Sequence, residues 1–115
     1  MPTPTDTYEQ LSQAWSQADA EAAAALYAPG AVWYDADNQA HRGRDGILEH
    51  LKGRFATAGP VTYTVKRQVQ GDRVVLTEWT RAAEENGRKS TGLPGATVLE
   101  LGDDGIVYHL SLIHI

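Results

Sequence analysis

Cysteine is absent from this chain of 115 residues, which removes disulfide staples, thiolate metal sites and cysteine nucleophiles at once. Stability is left to the core alone. Basic residues are also scarce: 10 Lys and Arg stand against 15 Asp and Glu, for a net charge of -5. A basic face of the kind that attracts phosphate backbones is not available, so nucleic acid is not an expected partner. No apolar run approaches the roughly 20 residues that cross a bilayer, and no membrane association is expected. The first residues lack the basic start and apolar stretch of a secretory leader, which makes a cytoplasmic address the expectation. Linkers, repeats and low-complexity tracts are missing too, so residues 1–115 read as one domain, within the usual span of about 100–150 residues.

What is present changes period half-way along. Asp6 and Glu9 resemble a capping box ahead of Tyr8, Leu11, Ala14, Trp15 and Ala18, which recur at three- and four-residue steps and predict an amphipathic helix. Asp19 caps a second helix that packs closely through Ala22 to Ala25 and ends with Leu26 and Tyr27, because Pro29-Gly30 forbids continuation. A short strand then carries Trp33 and Tyr34. A third helix is predicted from about Arg44 to Ala58, with Ile47, Leu48, Leu51 and Phe55 as its stripe and Gly59-Pro60 as its stop.

From Val61 the period is two. Val61, Tyr63, Val65, Arg67 and Val69 form one face of a strand, and Gly71-Asp72 turns the chain into a second strand from Arg73 to Glu85. Asn86-Gly87 is a hairpin signal, since a type I′ turn needs positive φ at both positions. The strand after Arg88 is interrupted by Gly92, Pro94 and Gly95 as a bulge or bend. Ala96 to Leu101 resumes it, and Asp103-Asp104-Gly105 leads into Ile106 to Ile115. Helices first and an antiparallel meander afterwards predict an α+β domain, with helices covering one face of a curved sheet that can enclose a cavity. The chain ends in mid-strand at Leu112-Ile113-His114-Ile115, which reads as a terminus short of the native one; His114 is given no functional weight.

Asp35 is the first candidate for chemistry. Held at the end of an apolar strand beside Trp33 and Tyr34, a poorly solvated carboxylate gains proton affinity and moves toward the range of a general base. The other reading is a turn carboxylate bonding its own backbone in Asp35-Ala36-Asp37-Asn38. Trp15, Trp33 and Trp79 are core rings or the walls of a cavity for a flat apolar ligand. Arg81 shares strand parity with Trp79. Facing inward, it is an internal cation for an enolate or carboxylate; facing outward, it is solvated. His109, on one strand face with Val107 and Ser111, is a proton shuttle or a satisfied structural histidine. His41 and His50 read as exposed, and the cluster Arg42, Arg44, Lys52 and Arg54 as a solvated helix face. The histidines lack the spacing of a zinc motif, and neither metal nor cofactor is expected.

Ala14-Trp15, Asp19, Ala25-Leu26-Tyr27-Ala28, Ala31-Val32-Trp33, Arg42-Gly43-Arg44-Asp45-Gly46-Ile47 and Asp104-Gly105-Ile106 together resemble the SnoaL-like branch of the nuclear transport factor 2-like superfamily, over nearly the whole chain. The resemblance implies a cone-shaped fold with about three helices on a strongly curved, mainly antiparallel sheet. It also implies a pocket between them, and commonly a homodimer through the sheet. Relatives of this kind include ketosteroid isomerases, limonene epoxide hydrolases, polyketide cyclases and non-catalytic binders. Asp35 falls at the isomerases' proton-abstracting aspartate, but their oxyanion donors fall on Leu11 and on Ala96 or a neighbour. The epoxide hydrolases' site falls on Trp79, Arg81, Ser111, Trp33 and Asp35, without the required aspartate pair. For the cyclases' late-strand acid, only Glu100 is at hand.

The expectation is therefore a pocket for a small, mostly apolar molecule, such as a cyclic ketone or a polyketide-like compound. Its wall would include Trp15, Trp33, Trp79, Leu51, Phe55 and Ser111, and its chemistry, if any, would be carried by Asp35, His109 and Arg81. A binding module without turnover and a scaffold that dimerises through the sheet are the competing classes.

Overall fold

The computed structural model describes residues 3–37, 39–85 and 88–113. Thr3, three positions earlier than the cap read from the sequence, opens α1 (Pro4–Ser16) by a capping box with Asp6. Its buried stripe is Tyr8, Leu11, Ala14 and Trp15. Asp19 caps α2 (Ala20–Ala24), its carboxylate accepting from the Ala22 N–H at 3.0 Å.

The second helix is shorter than Pro29-Gly30 suggests. Tyr27 already begins β1 (Tyr27–Tyr34), which pairs in parallel with the last strand through Tyr27↔Ile106 and resumes at Val32↔Tyr108. Pro29 and Gly30 lie in the irregular stretch between those pairs, where a missing N–H and a missing side chain are tolerated. A strand not expected from the sequence, β2 (Ala40–Arg42), folds back on β1. Gly43 follows at φ 78° and starts α3 (Gly43–Ala58), which Gly59 ends at φ 67°.

The remaining strands are β3 (Val61–Gln70), β4 (Val74–Glu85), β5 (Arg88–Gly102) and β6 (Gly105–Ile113). They complete a six-stranded sheet in the order β2-β1-β6-β5-β4-β3, antiparallel except for β1 beside β6. The expected interruption of β5 is a bulge: Arg81↔Leu93 and Ala83↔Ser90 leave Ala82 opposite Thr91 and Gly92, with Gly92 at φ 71°. The Asn86-Gly87 turn, like Asn38, His114 and Ile115, lies outside the described residues.

One expectation about facing is corrected. The register of β3 shifts between Val65 and Arg67, so its alternation reverses there. Tyr63 faces the helices, whereas Val69 is 66% exposed on the outer side and Gln68 turns inward to donate to the Thr77 hydroxyl at 2.9 Å. The core fills the space between the concave sheet face and the helices, with Trp15, Tyr27, Trp33, Ile47, Leu51, Trp79 and Leu99 at its centre.

Candidate functional site

Inside this core is a cavity of about 30 Å³ lined by Trp15, Trp33, Trp79, Asp35, Arg81, His109 and Ser111, together with Tyr8, Arg54, Tyr63 and Thr97 among others. The topology explains the convergence. Trp33 and Asp35 share the inward parity of β1, and the inward row Gln68↔Thr77↔Thr97↔Ser111 crosses β3, β4, β5 and β6, its Thr97 and Ser111 reaching the cavity. The space is large enough for about two waters, at roughly 10–15 Å³ each. Leu51 and Phe55, expected in its wall, are not there. Leu51 is wholly buried in the core, and Phe55 packs edge-on against Trp15 at 4.9 Å, supporting the wall from behind.

Gly95 makes room for Trp79. A Cβ at that position would stand 2.3 Å from the indole Cη2, so only glycine lets the ring lie across β5, where its Nε1–H donates to the Thr97 hydroxyl at 2.7 Å.

Asp35 is 5% exposed. Its Oδ1 accepts from the Ala36 N–H at 2.7 Å, which satisfies the turn reading. Its Oδ2 faces His50 Nε2 at 2.7 Å and accepts from Arg54 Nη1 at 3.3 Å. These contacts correct two expectations. His50 and Arg54 are half-buried, while Arg42, Arg44 and Lys52 are exposed as expected; spaced four apart, His50 and Arg54 place one face of α3 over the end of β1, in step with buried Ile47 and Leu51. Nor does Asp35 gain proton affinity. Burial pushes its pKa up, but the hydrogen bond from His50, the Arg54 charge and the Ala36 N–H outweigh burial and hold it below the ordinary carboxylate value. Arg44 is likewise engaged, donating through Nε and Nη2 to the Tyr27 carbonyl at 2.9 and 2.7 Å.

His109 is buried between partners. Tyr27 Oη lies 2.7 Å from Nδ1, Ser111 Oγ 2.8 Å from Nε2, and the Trp33 ring stacks on the imidazole at 4.8 Å. Burial lowers its pKa to about 3, against a weaker upward pull from Asp35, so the ring is neutral. With both nitrogens engaged it fits the structural reading better than that of a shuttle. Arg81 faces the cavity near Tyr63, whose pKa is raised by burial and drawn back by the Arg81 and Arg54 charges. Among the described residues, no carboxylate pairs with Arg81.

His41, also half-buried, stacks on His50 with ring centres 3.5 Å apart and planes 13° apart. Asp37, His41 and His50 offer ligand atoms within 4.8 Å of one another. An imidazole holds a metal in its ring plane, and two stacked, nearly parallel planes do not share a point where one ion could sit in both; His50 Nε2 also already faces Asp35.

Sequence and fold comparisons agree with this architecture. The SnoaL-like domain profile matches residues 8–109. The chain belongs to the SnoaL-like domain family. No curated protein sequence matches it. Among solved structures, a Catenulispora acidiphila protein with a ketosteroid isomerase-like fold, in complex with trimethylamine, is 20% identical with a TM-score of 0.84, covering 95% of this chain and 85% of that one. A candidate SnoaL-like polyketide cyclase from Shewanella denitrificans is 13% identical at TM-score 0.85, with 96% and 90% covered. An epoxide hydrolase of the LEH-like type from M. tuberculosis is 18% identical at TM-score 0.81, with 94% and 80% covered. At these identities the likeness establishes the SnoaL-like fold and leaves the chemistry to this chain's own residues.

Tyr8 is one of several lining residues, with Arg54, Tyr63 and Thr97, that reading the sequence did not assign to a site. It belongs to the apolar stripe of α1, and nothing local distinguishes it from a core ring. Only the structure shows its hydroxyl buried without a hydrogen-bond partner among the described residues.

Proposed function

We propose that this SnoaL-like domain binds a small, mostly apolar molecule carrying a carbonyl oxygen, of the cyclic ketone or polyketide-like kind. In this reading the Asp35 carboxylate takes a proton from the carbon beside the carbonyl while Arg81 stabilises the oxyanion. The observation that carries the reading is the convergence of Asp35, Arg81 and the indoles of Trp15, Trp33 and Trp79 on one internal cavity. Aromatic walls suit a flat ligand, and a few polar groups orient it. A ring larger than about 30 Å³ enters by displacing water and turning side chains near exposed Ala36 and half-buried Ser12 and Arg81. Lowered proton affinity keeps Asp35 ionised at neutral pH while weakening it as a base, so the oxyanion side carries more of the stabilisation.

Deuterium exchange at the carbon next to the carbonyl of cyclohexanone, followed by NMR in heavy water, tests this reading. The protein should accelerate exchange above the buffer rate, and Asp35→Asn should reduce that acceleration roughly 100-fold or more. Exchange at the buffer rate with saturating ketone would leave a binding module without turnover.

A second reading, dimerisation, is favoured by the outer sheet face. The register Val69↔Leu76↔Val98↔Leu110↔Tyr34 lays an apolar row across five neighbouring strands, with Leu76 49% exposed and Leu112 nearby at 53%. Such a row is a candidate self-complementary surface.

A further inference from the structure

The hydrogen bonds around His109 have a direction that can be worked out. Trp33 Nε1–H can only donate, and it donates to Ser111 Oγ at 3.2 Å. Tyr27 is fully buried, and among the described residues its hydroxyl meets only His109 Nδ1. If Nδ1 carried the imidazole proton, it would donate to Tyr27 Oη and the Tyr27 hydrogen would be left buried without an acceptor, an arrangement that is expensive to maintain. If Tyr27 O–H donates to Nδ1 instead, the neutral ring must carry its proton on Nε2, and Nε2–H donates to Ser111 Oγ. Ser111 then accepts from both Trp33 and His109. Its own hydrogen has nowhere to go within that network.

We infer that the Tyr27–His109 pair fixes Ser111 as a hydrogen-bond donor into the cavity, so that the ligand atom seated there is an oxygen acceptor and Ser111 selects for it. Two other lining residues carry unpartnered groups that can donate. Tyr8 Oη and Arg54 Nε are both buried without partners among the described residues, and both belong to residues of this wall. An alcohol or amine hydrogen finds a poorer match, because Asp35 already accepts from Ala36, His50 and Arg54. The inference rests on the reading of the cavity as a ligand site, and it assigns Tyr27 and His109 as positioning residues that act through Ser111.

Two measurements test it separately. Long-range nitrogen–proton NMR on the unliganded protein reports which imidazole nitrogen of His109 is protonated. Nε2–H is expected, with Tyr27→Phe releasing the constraint and bringing the other tautomer into the spectrum; Nδ1–H in the unmodified protein would overturn the proposed order of donors. Tryptophan fluorescence titration then compares cyclohexanone with methylenecyclohexane, a hydrocarbon of the same shape without the acceptor. The unmodified protein should prefer the ketone roughly tenfold, and Ser111→Ala should cut that preference several-fold, leaving what the Arg81 charge supplies. Equal binding of both compounds by the unmodified protein would refute Ser111 as a selector while preserving the cavity as a ligand site. Binding of neither would overturn the ligand-site reading itself, leaving the tautomer result to decide the direction of the network.

Discussion

Desolvation taken alone makes Asp35 a better base and His109 a neutral ring, yet only the second outcome holds. His109 meets hydrogen-bonding partners that suit the neutral form, whereas Asp35 meets a guanidinium and an imidazole that favour its charge. Both folded groups bind protons less tightly than in the unfolded chain, so the unfolded state takes up more protons and stability rises with pH. For His109 the contribution is complete above about 6.5, the unfolded value, and is lost as pH falls toward about 3. For Asp35 it is lost below about 3.9. Urea unfolding between about pH 8 and pH 3 should therefore show an acid limb beginning near pH 6.5, with a slope of at most roughly 1.4 kcal/mol per pH unit from this histidine. His109→Gln should flatten the upper part of that limb, and Asp35→Asn only its lowest part. A limb unchanged by His109→Gln would contradict the buried neutral ring. Asp35 was legible in the sequence as a strand-end carboxylate. Its partners, 15 and 19 positions later on a helix, were not, because their approach depends on how α3 returns over β1.

At the scale of elements, local chemistry specified most of the secondary structure. The stripe of α1, the cap at Asp19, the glycine stop of α3 and the bulge near Gly92 all follow from side-chain period or φ preference. The failures share one cause. Tyr27 leaves the helix for a strand because Ile106 on β6, far along the chain, supplies its partner, and the reversal of β3 near Lys66 is set by pairing with β4. Neither is written in the local pattern. Gly95 belongs to this scale too, since its missing side chain lets β5 pass beneath Trp79. Gly95→Ala would force a Cβ to 2.5 Å from the Leu112 carbonyl as well as into the indole. The expected loss is about 1–3 kcal/mol in denaturant unfolding, with a shifted tryptophan emission as the ring leaves the Thr97 hydroxyl. Unchanged stability and emission would mean that the ring packs elsewhere.

For the whole molecule, the sheet has two unlike faces. The inner one closes over a cavity, and the outer one carries the row from Val69 to Tyr34. If that row is a dimer surface, gel filtration should show mass falling from dimer to monomer on dilution, and Leu76→Lys should give monomer throughout without loss of helix content; a monomer at every concentration would exclude the dimer. In the proposed function an ionised carboxylate on the inner face forms part of the wall of a ligand cavity. Carbon-13 NMR of the Asp35 carboxyl, titrated with acid and then with cyclohexanone at neutral pH, tests this most directly. The expected result is a midpoint below about 3.9 and a saturable change of the signal with ketone. An ordinary midpoint together with a signal indifferent to ketone would contradict it.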